Sequence, residues 1–221
     1  YAEARQAYED GLKVDEELND LRGQGVALIQ LGSLAMREGD LPAAAERYRT
    51  ALALFQRLHE PANEAVVWHQ LGMGFEDARQ WDEAERHYRE SARISEERGD
   101  LAGAARTWNQ LATVNMSAGK PDAAEMWYRK AIEGGRTASE RVGLSKRLNN
   151  LANLLQTRPG RLAEARQLAE EALAIDKTID PGAAEIWTTY SILALIADQE
   201  AQAATEDRLK AELQTKAREH R

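Results

Sequence analysis

The chain has 221 residues, with 37 Asp and Glu against 29 Lys and Arg, for a net charge of −8. No Lys/Arg-rich block interrupts that acidity, so nothing is expected to displace phosphate counterions and no nucleic-acid partner is expected. Cysteine is absent, which removes disulfides, thiol nucleophiles and thiolate metal sites together and fits a reducing, cytoplasmic setting.

No apolar run approaches the roughly 18–20 residues that span a bilayer, so a membrane partner is not expected either. Ala, Leu, Glu, Arg and Gln dominate, all good helix formers, while β-branched residues are thin. The expectation is an all-α fold. The first residues, Tyr1-Ala2-Glu3-Ala4-Arg5, already read as mid-helix, as expected of a piece of a longer protein.

In chain order, residues 1–20 predict a lone helix of B type, followed by pairs of amphipathic helices, A then B. In the first pair, helix A covers 21–37, Gly39-Asp40 supplies a stop and an N-cap, and helix B covers 41–58. The next A helix opens on Pro61, tolerated in a first turn because its missing N–H has no helical acceptor there. Later joints repeat the chemistry at Gly99-Asp100, Gly119-Lys120-Pro121, Pro159-Gly160 and Asp180-Pro181-Gly182. The pairs are assigned to 21–60, 61–100, 101–138 and 139–178. A fifth A helix over 183–197, with Trp187 as its tryptophan, and a polar capping helix complete 179–221. All of this reads as one array over 1–221.

The pairs are copies of one another. Tyr8, Tyr48, Tyr88 and Tyr128 recur at steps of 40, as do Leu31, Leu71, Leu111 and Leu151. An amide precedes each leucine and a small residue follows it: Gly32, Gly72, Ala112 and Ala152. Ala4, Ala44, Ala84 and Ala124 stand four residues before each tyrosine. These small residues predict close A–B contact, with the tyrosines filling the gap between neighbouring pairs. The fourth pair has one extra residue in its turn, so Ala165, Ala169 and Ala172 take the places of Ala44, Tyr48 and Ala51.

Trp68-x-x-Leu71-Gly72 and Trp108-x-x-Leu111-Ala112, followed by Ala84 or Ala124 and then Tyr88 or Tyr128, resemble the tetratricopeptide (TPR) signature. The long period is similar to the arrays of kinesin light chains and of bacterial TPR signalling proteins. The resemblance implies a right-handed α-solenoid of antiparallel helix pairs whose A helices line a concave groove. It also implies a protein- or peptide-binding module, serving as the sensor or adaptor part of a larger signalling protein. The same family includes receptors for short signalling peptides.

Enzyme chemistry has little footing. His59, His69, His87 and His220 are scattered over different segments without metal-ligand spacing, and no cofactor or metal is expected. Gly72-Met73-Gly74 and Gly23-Gln24-Gly25 resemble fragments of phosphate loops but fall inside A-helix patterns, where close packing explains them. Arg98-Gly99-Asp100 spells an adhesion tripeptide, yet it sits at a joint and reads as a helix stop and cap.

The better signal is a polar stripe on the A helices. Lys146, Asn149, Asn150 and Asn153 are spaced i, i+3, i+4, i+7, within about 100° of arc, opposite Leu144, Leu148, Leu151 and Leu155. One pair earlier the positions hold Arg106, Asn109, Gln110 and Thr113; before that Val66, His69, Gln70 and Met73; and first Val26, Ile29, Gln30 and Ser33. Amides donate and accept, so such a ladder can hold the main chain of a partner. The candidate binding residues are Gln70, Arg106, Asn109, Gln110, Lys146, Asn149, Asn150 and Asn153. The stripe changes from apolar at the N-terminal end to cationic near Arg106 and Lys146. A protein or peptide with apolar residues and an acidic segment matches it. Amide ladders that only stiffen the array are the bland alternative. A structural scaffold that self-associates through the open N-terminal end, with Trp127 serving an interface if exposed, is the competing function.

Overall fold

The computed structural model of the chain describes residues 2–179 and 184–219, so the joint at Asp180-Pro181-Gly182 lies outside the described residues. Ten helices are described and no strand: α1 (Ala2–Glu17), α2 (Leu21–Arg37), α3 (Leu41–Leu58), α4 (Pro61–Asp77), α5 (Trp81–Glu97), α6 (Leu101–Ser117), α7 (Pro121–Thr137), α8 (Arg141–Leu155), α9 (Leu162–Ile179) and α10 (Ala184–Glu219). They divide into two compact units, Tyr1–Ala138 and Ser139–Arg221.

In the first unit the helices pack as hairpins, α2 on α3, α4 on α5 and α6 on α7. The joints recur every 20 residues, and each turns through a left-handed residue. Glycine takes that conformation at Gly39, Gly99 and Gly119, with φ of 81°, 71° and 72°. Asn19, His59, Arg79 and Ser139 adopt it without glycine, at φ of 54° to 56°. Glycine marks only three of these seven turns in the sequence. Asp20, Asp40 and Asp100 then cap the following helices, accepting from the backbone N–H of Gly23, Ala43 and Gly103 among others.

Each unit's core lies between its helix layers. One cluster gathers Ala44, Tyr48, Ala51 and Phe55 of α3 with Ala35 of α2 and Val67 and Leu71 of α4. The next gathers Ala84, Tyr88 and Ala92 of α5 with Ala104, Ala105, Trp108, Leu111 and Val114 of α6 and Ala131 of α7. Leu31, Leu71, Leu111 and Leu151 are all buried, as are Tyr48, Tyr88 and Tyr128.

The tyrosines do a second job beside the one the sequence suggested. Rather than only filling a gap between pairs, each ring stands on the A helix of its own pair. A Cβ at Gly32 would lie 2.7 Å from the Tyr48 ring, and one at Gly72 would lie 2.5 Å from the Tyr88 ring. The hydroxyls stay in the same pair: Tyr48 meets Ser33 at 3.0 Å, and Tyr128 meets Thr113 at 3.3 Å. Inside the helices Gly25 and Gly74 serve the same purpose. Added Cβ atoms there would meet Phe55 at 2.6 Å and Met36 at 2.8 Å, so close packing accounts for the glycine fragments.

In the second unit α8 packs on α9, and α10 packs on both. Ala165, Ala169 and Ala172 are fully buried at the places where the first unit's B helices carry Ala, Tyr and Ala. Helix α10 runs unbroken from Ala184 to Glu219, where the sequence suggested an A helix followed by a separate cap. No glycine or proline interrupts 197–200, so no helix stop is present there.

The register of α10 also corrects the placing of Trp187. Ile186, Thr189, Ile192 and Ile196 are buried, matching Ser145, Leu148, Leu151 and Leu155 of α8 at an offset of 41. The extra residue of the fourth pair accounts for the added step. Thr189 therefore holds the tryptophan column, and Trp187 falls in the column of Val66, Arg106 and Lys146, with 72% of its surface exposed.

A candidate interaction cleft on the A helices

The polar stripe splits into two kinds of position. Arg106, Lys146 and Asn153 are exposed, and Gln70, Gln110 and Asn150 are half-buried. Asn109 and Asn149 are buried. The two buried asparagines sit at the i+3 place, which turns toward the neighbouring A helix rather than outward. In the second unit the Asn149 amide donates to Thr189 Oγ1 at 2.7 Å, and Thr189 donates to the buried Asp176 carboxylate at 3.1 Å. Asn149 is thus a strut between α8 and α10, and its expected role as an outward-facing ligand is corrected. The same column in α4 holds His69, whose Nδ1 lies 3.2 Å from Thr107 Oγ1 on α6. At His69 and Asn149 the i+3 residue ties consecutive A helices of one unit together.

Between α4 and α6, with α5 as the floor, lies a cavity of about 200 Å³. Val66, His69 and Gln70 form one wall, Arg106 and Thr107 the other, and Ser91 and Ser95 the floor, with Arg98 and Asp100 at one end. Three hydroxyl and imidazole groups form a chain. The Ser91 hydroxyl donates to the Ala65 carbonyl at 2.8 Å, and the Thr107 hydroxyl donates to the Gly103 carbonyl at 3.2 Å. Both protons are committed to backbone oxygens, so His69 Nδ1–H is the donor to Thr107 and its Nε2 is left as an acceptor. Burial, reinforced by the Arg106 charge, lowers the His69 pKa to about 4. The imidazole is therefore neutral near pH 7, and the Arg106 guanidinium supplies positive charge here, Arg98 being paired with Asp100 at 4.0 Å.

The sequence analysis selected Gln70 and Arg106 at this cavity and missed Arg98, Ser91, Ser95 and Thr107. Arg98 was absorbed into the joint triplet, where it does end α5 and Asp100 does cap α6. Ser91 and Ser95 are one turn apart on a B helix, a spacing with no distinguishing feature until α5 is seen to floor the cavity. The apolar part of the stripe is outward-facing, since Val26, Val66 and Met73 are all exposed. Trp127, by contrast, is half-buried, with Arg89 5.2 Å and Lys130 5.6 Å from its ring, so it offers no open anchor for self-association. Among the described residues no cluster of His, Asp or Glu could hold a metal, and no helix is long and apolar enough to cross a membrane.

The helix-pair fold is found in several solved structures. BtubC (BKLC) from P. vanneervenii superposes with a TM-score of 0.79 at 22% identity, over 96% of this chain and 91% of that one. The putative kinesin light chain TPR-like repeats of Podosopora anserina give 0.66 at 17% identity, over 86% and 92%. A Rap protein complexed with competence and sporulation factor gives 0.61 at 18% identity, over 90% and 59%. No curated protein matches the sequence. The model of the tetratricopeptide repeat family matches residues 23–97 and 103–178, most of the chain. With its paired helices, small-residue contacts and buried tyrosine column, the chain belongs to the tetratricopeptide repeat family.

Proposed function

We propose that the chain is a non-catalytic module that binds an extended segment of another protein along its A helices, as the sensor or adaptor element of a signalling protein. The observation that carries this reading is the cavity between α4 and α6, bounded by Arg98 and Arg106 and continuous in sequence position with the exposed Val66 and Met73. Cationic groups at one end favour an acidic residue of the partner, and the exposed apolar residues favour apolar side chains beside it. In the second unit Lys146, Asn150 and Asn153 of α8 offer the same kind of surface on their own. The Rap protein, which shares the fold, is described as complexed with a factor, and that supports a ligand-binding use for these repeats.

A photo-crosslinking residue at Val66, compared with one at the exposed Thr50 on the outer side of α3, tests the proposal in cells. Crosslinks to another protein at 66 and not at 50 are expected. The reverse pattern would move the function to the B helices. Replacing Arg106 and Lys146 with Glu should then abolish that crosslink while leaving the helical spectrum unchanged.

A second reading, self-association, draws support from α1 and the turn after it, where Val14 and Leu18 are exposed and no residue of α1 is buried. Light scattering decides it, since that reading requires an oligomer.

A further inference from the structure

Glu76 is a half-buried carboxylate at the contact of α4 with α6. Of the other half-buried carboxylates of the first unit, Glu85 is paired with Arg89 and Lys120, Glu125 with Arg129 and Glu60 with Arg22, while Glu9, Asp15 and Glu64 have no such pair among the described residues. Glu76 has no Lys or Arg within ion-pairing reach among the described residues. Its hydrogen-bond partners are neutral: the Tyr88 hydroxyl donates to it at 2.6 Å, and the Gln110 amide donates at 3.5 Å. Burial raises its pKa despite the Tyr88 hydrogen bond, and neighbouring Asp77 adds to the rise. The carboxylate is held in place by two donors while its charge remains uncompensated.

Its position is as informative as its chemistry. Val66, Met73 and Glu76 are spaced i, i+7, i+10, so Glu76 lies on the same broad face of α4 as the exposed Val66 and Met73, toward the helix end away from Arg98. Gln110 of α6 reaches the same carboxylate, so both walls of the cleft converge on it. Arg106 stands as a cation on this α4–α6 face beside the Arg98–Asp100 pair, and Glu76 is an acid farther along α4. Ten residues of α4 separate the level of Val66 from Glu76, about 15 Å at 1.5 Å per residue. An extended peptide covers that span in about four or five residues at roughly 3.3 Å each.

We infer that Glu76, positioned by Tyr88 and Gln110, is a subsite for a lysine or arginine side chain of the partner and sets the register of the bound segment. The partner segment then carries an acidic residue and a basic one about three to six positions apart. This inference rests on the reading of the α4–α6 cleft as the binding site, but it concerns a different end of that cleft. The sister positions of Glu76 are Met36 and Met116, so the charge belongs to this one cleft and is no general feature of the repeat.

Random twelve-residue peptides displayed on phage and selected on the whole chain provide the test. Enriched sequences should carry Lys or Arg at a fixed offset from Asp or Glu. Selection on the Glu76→Gln variant, which keeps an acceptor for Tyr88, should retain the acidic preference and lose the basic one. A synthetic copy of the best peptide should bind Glu76→Gln at least about fivefold more weakly, with the loss shrinking as salt is raised. Exchanging that peptide's basic residue for norleucine should weaken binding to the wild type but make no difference to the variant. Glu76→Met, which installs the sister residue, should behave as Glu76→Gln does and guards against a misfolded variant. Peptides enriched without a basic residue in register, or bound equally by the wild type and the variants, would overturn the Glu76 subsite while leaving the cleft as the binding site. Failure to enrich any peptide would overturn both.

Discussion

The Tyr88 ring lies against Gly72 so closely that a methyl group on residue 72 would sit 2.5 Å from it. Both residues are buried and belong to one helix pair, so neither can move without opening the α4–α5 contact. Two effects compete in Gly72→Ala. Alanine gains about 1 kcal/mol of helix propensity, whereas overpacking costs about 1–3 kcal/mol. Because an aromatic ring rather than a flexible chain end blocks the methyl, the steric cost should win and chemical denaturation should show a net loss. In a Tyr88→Ala background the clash is gone, and Gly72→Ala should become stabilising. The fourth pair already combines Ala152 with Ala169, both fully buried. A change of the same sign in both backgrounds would show that the two residues do not meet.

Four joints spend strain that glycine would spare. Arg79 and His59 hold φ of 56° and 54°, the left-handed region that costs an ordinary residue roughly 1–2 kcal/mol. Arg79→Gly should therefore raise the stability of the chain by about 0.5–1 kcal/mol once the greater freedom of glycine in the unfolded state is subtracted. The same exchange at Arg86, inside α5, should lower it by a similar amount. Thermal melting of the two variants side by side tests the assignment of the turn.

The two asparagines of α8 separate a strut from a surface group. Asn149→Ala should strand the buried Thr189–Asp176 pair and destabilise the second unit by about 1–3 kcal/mol. Asn153→Asp, at an exposed position and keeping the acceptor for Gln156, should change stability by less than about 0.5 kcal/mol. Hydrogen exchange in α8 and α10 resolves the difference. Equal effects would show that both residues face the same environment.

Acid should weaken the first unit through His69. Its folded pKa of about 4 lies below the unfolded value of 6.5, so the unfolded chain binds the proton more readily. The stabilisation is fully present above pH 6.5 and is lost as the pH falls toward 4. His87, lowered by burial and by Arg86, acts in the same sense, and Glu83 opposes part of that shift. Glu76, held above the usual carboxylate range, acts in the opposite sense at the acid end of the window. His69→Asn, which installs the residue of the sister helices at 109 and 149, should flatten the fall in stability between pH 6.5 and 4. The remaining slope is then that of His87. An unchanged pH profile would mean that His69 titrates normally in the folded chain.

The sequence by itself determined the elements, the period and the core. Helix boundaries such as 21–37 and 41–58 could be read because glycine, aspartate and proline are local signals, and a backbone turn depends on the residues that form it. Leucine and tyrosine columns could be read because a repeat places equivalent residues in equivalent burial. Tertiary structure decided what is local to no single helix. The stripe on α8 is one arc in sequence, yet Asn149 is buried and Lys146 exposed, because only packing against α10 distinguishes adjacent positions on that arc. The one-residue insertion in the fourth pair moved Trp187 out of the core column, and the burial pattern of α10 was needed to show it. The uncompensated charge of Glu76 was invisible for the same reason: whether a carboxylate has a cation beside it is set by neighbours 12 to 34 residues away in the chain.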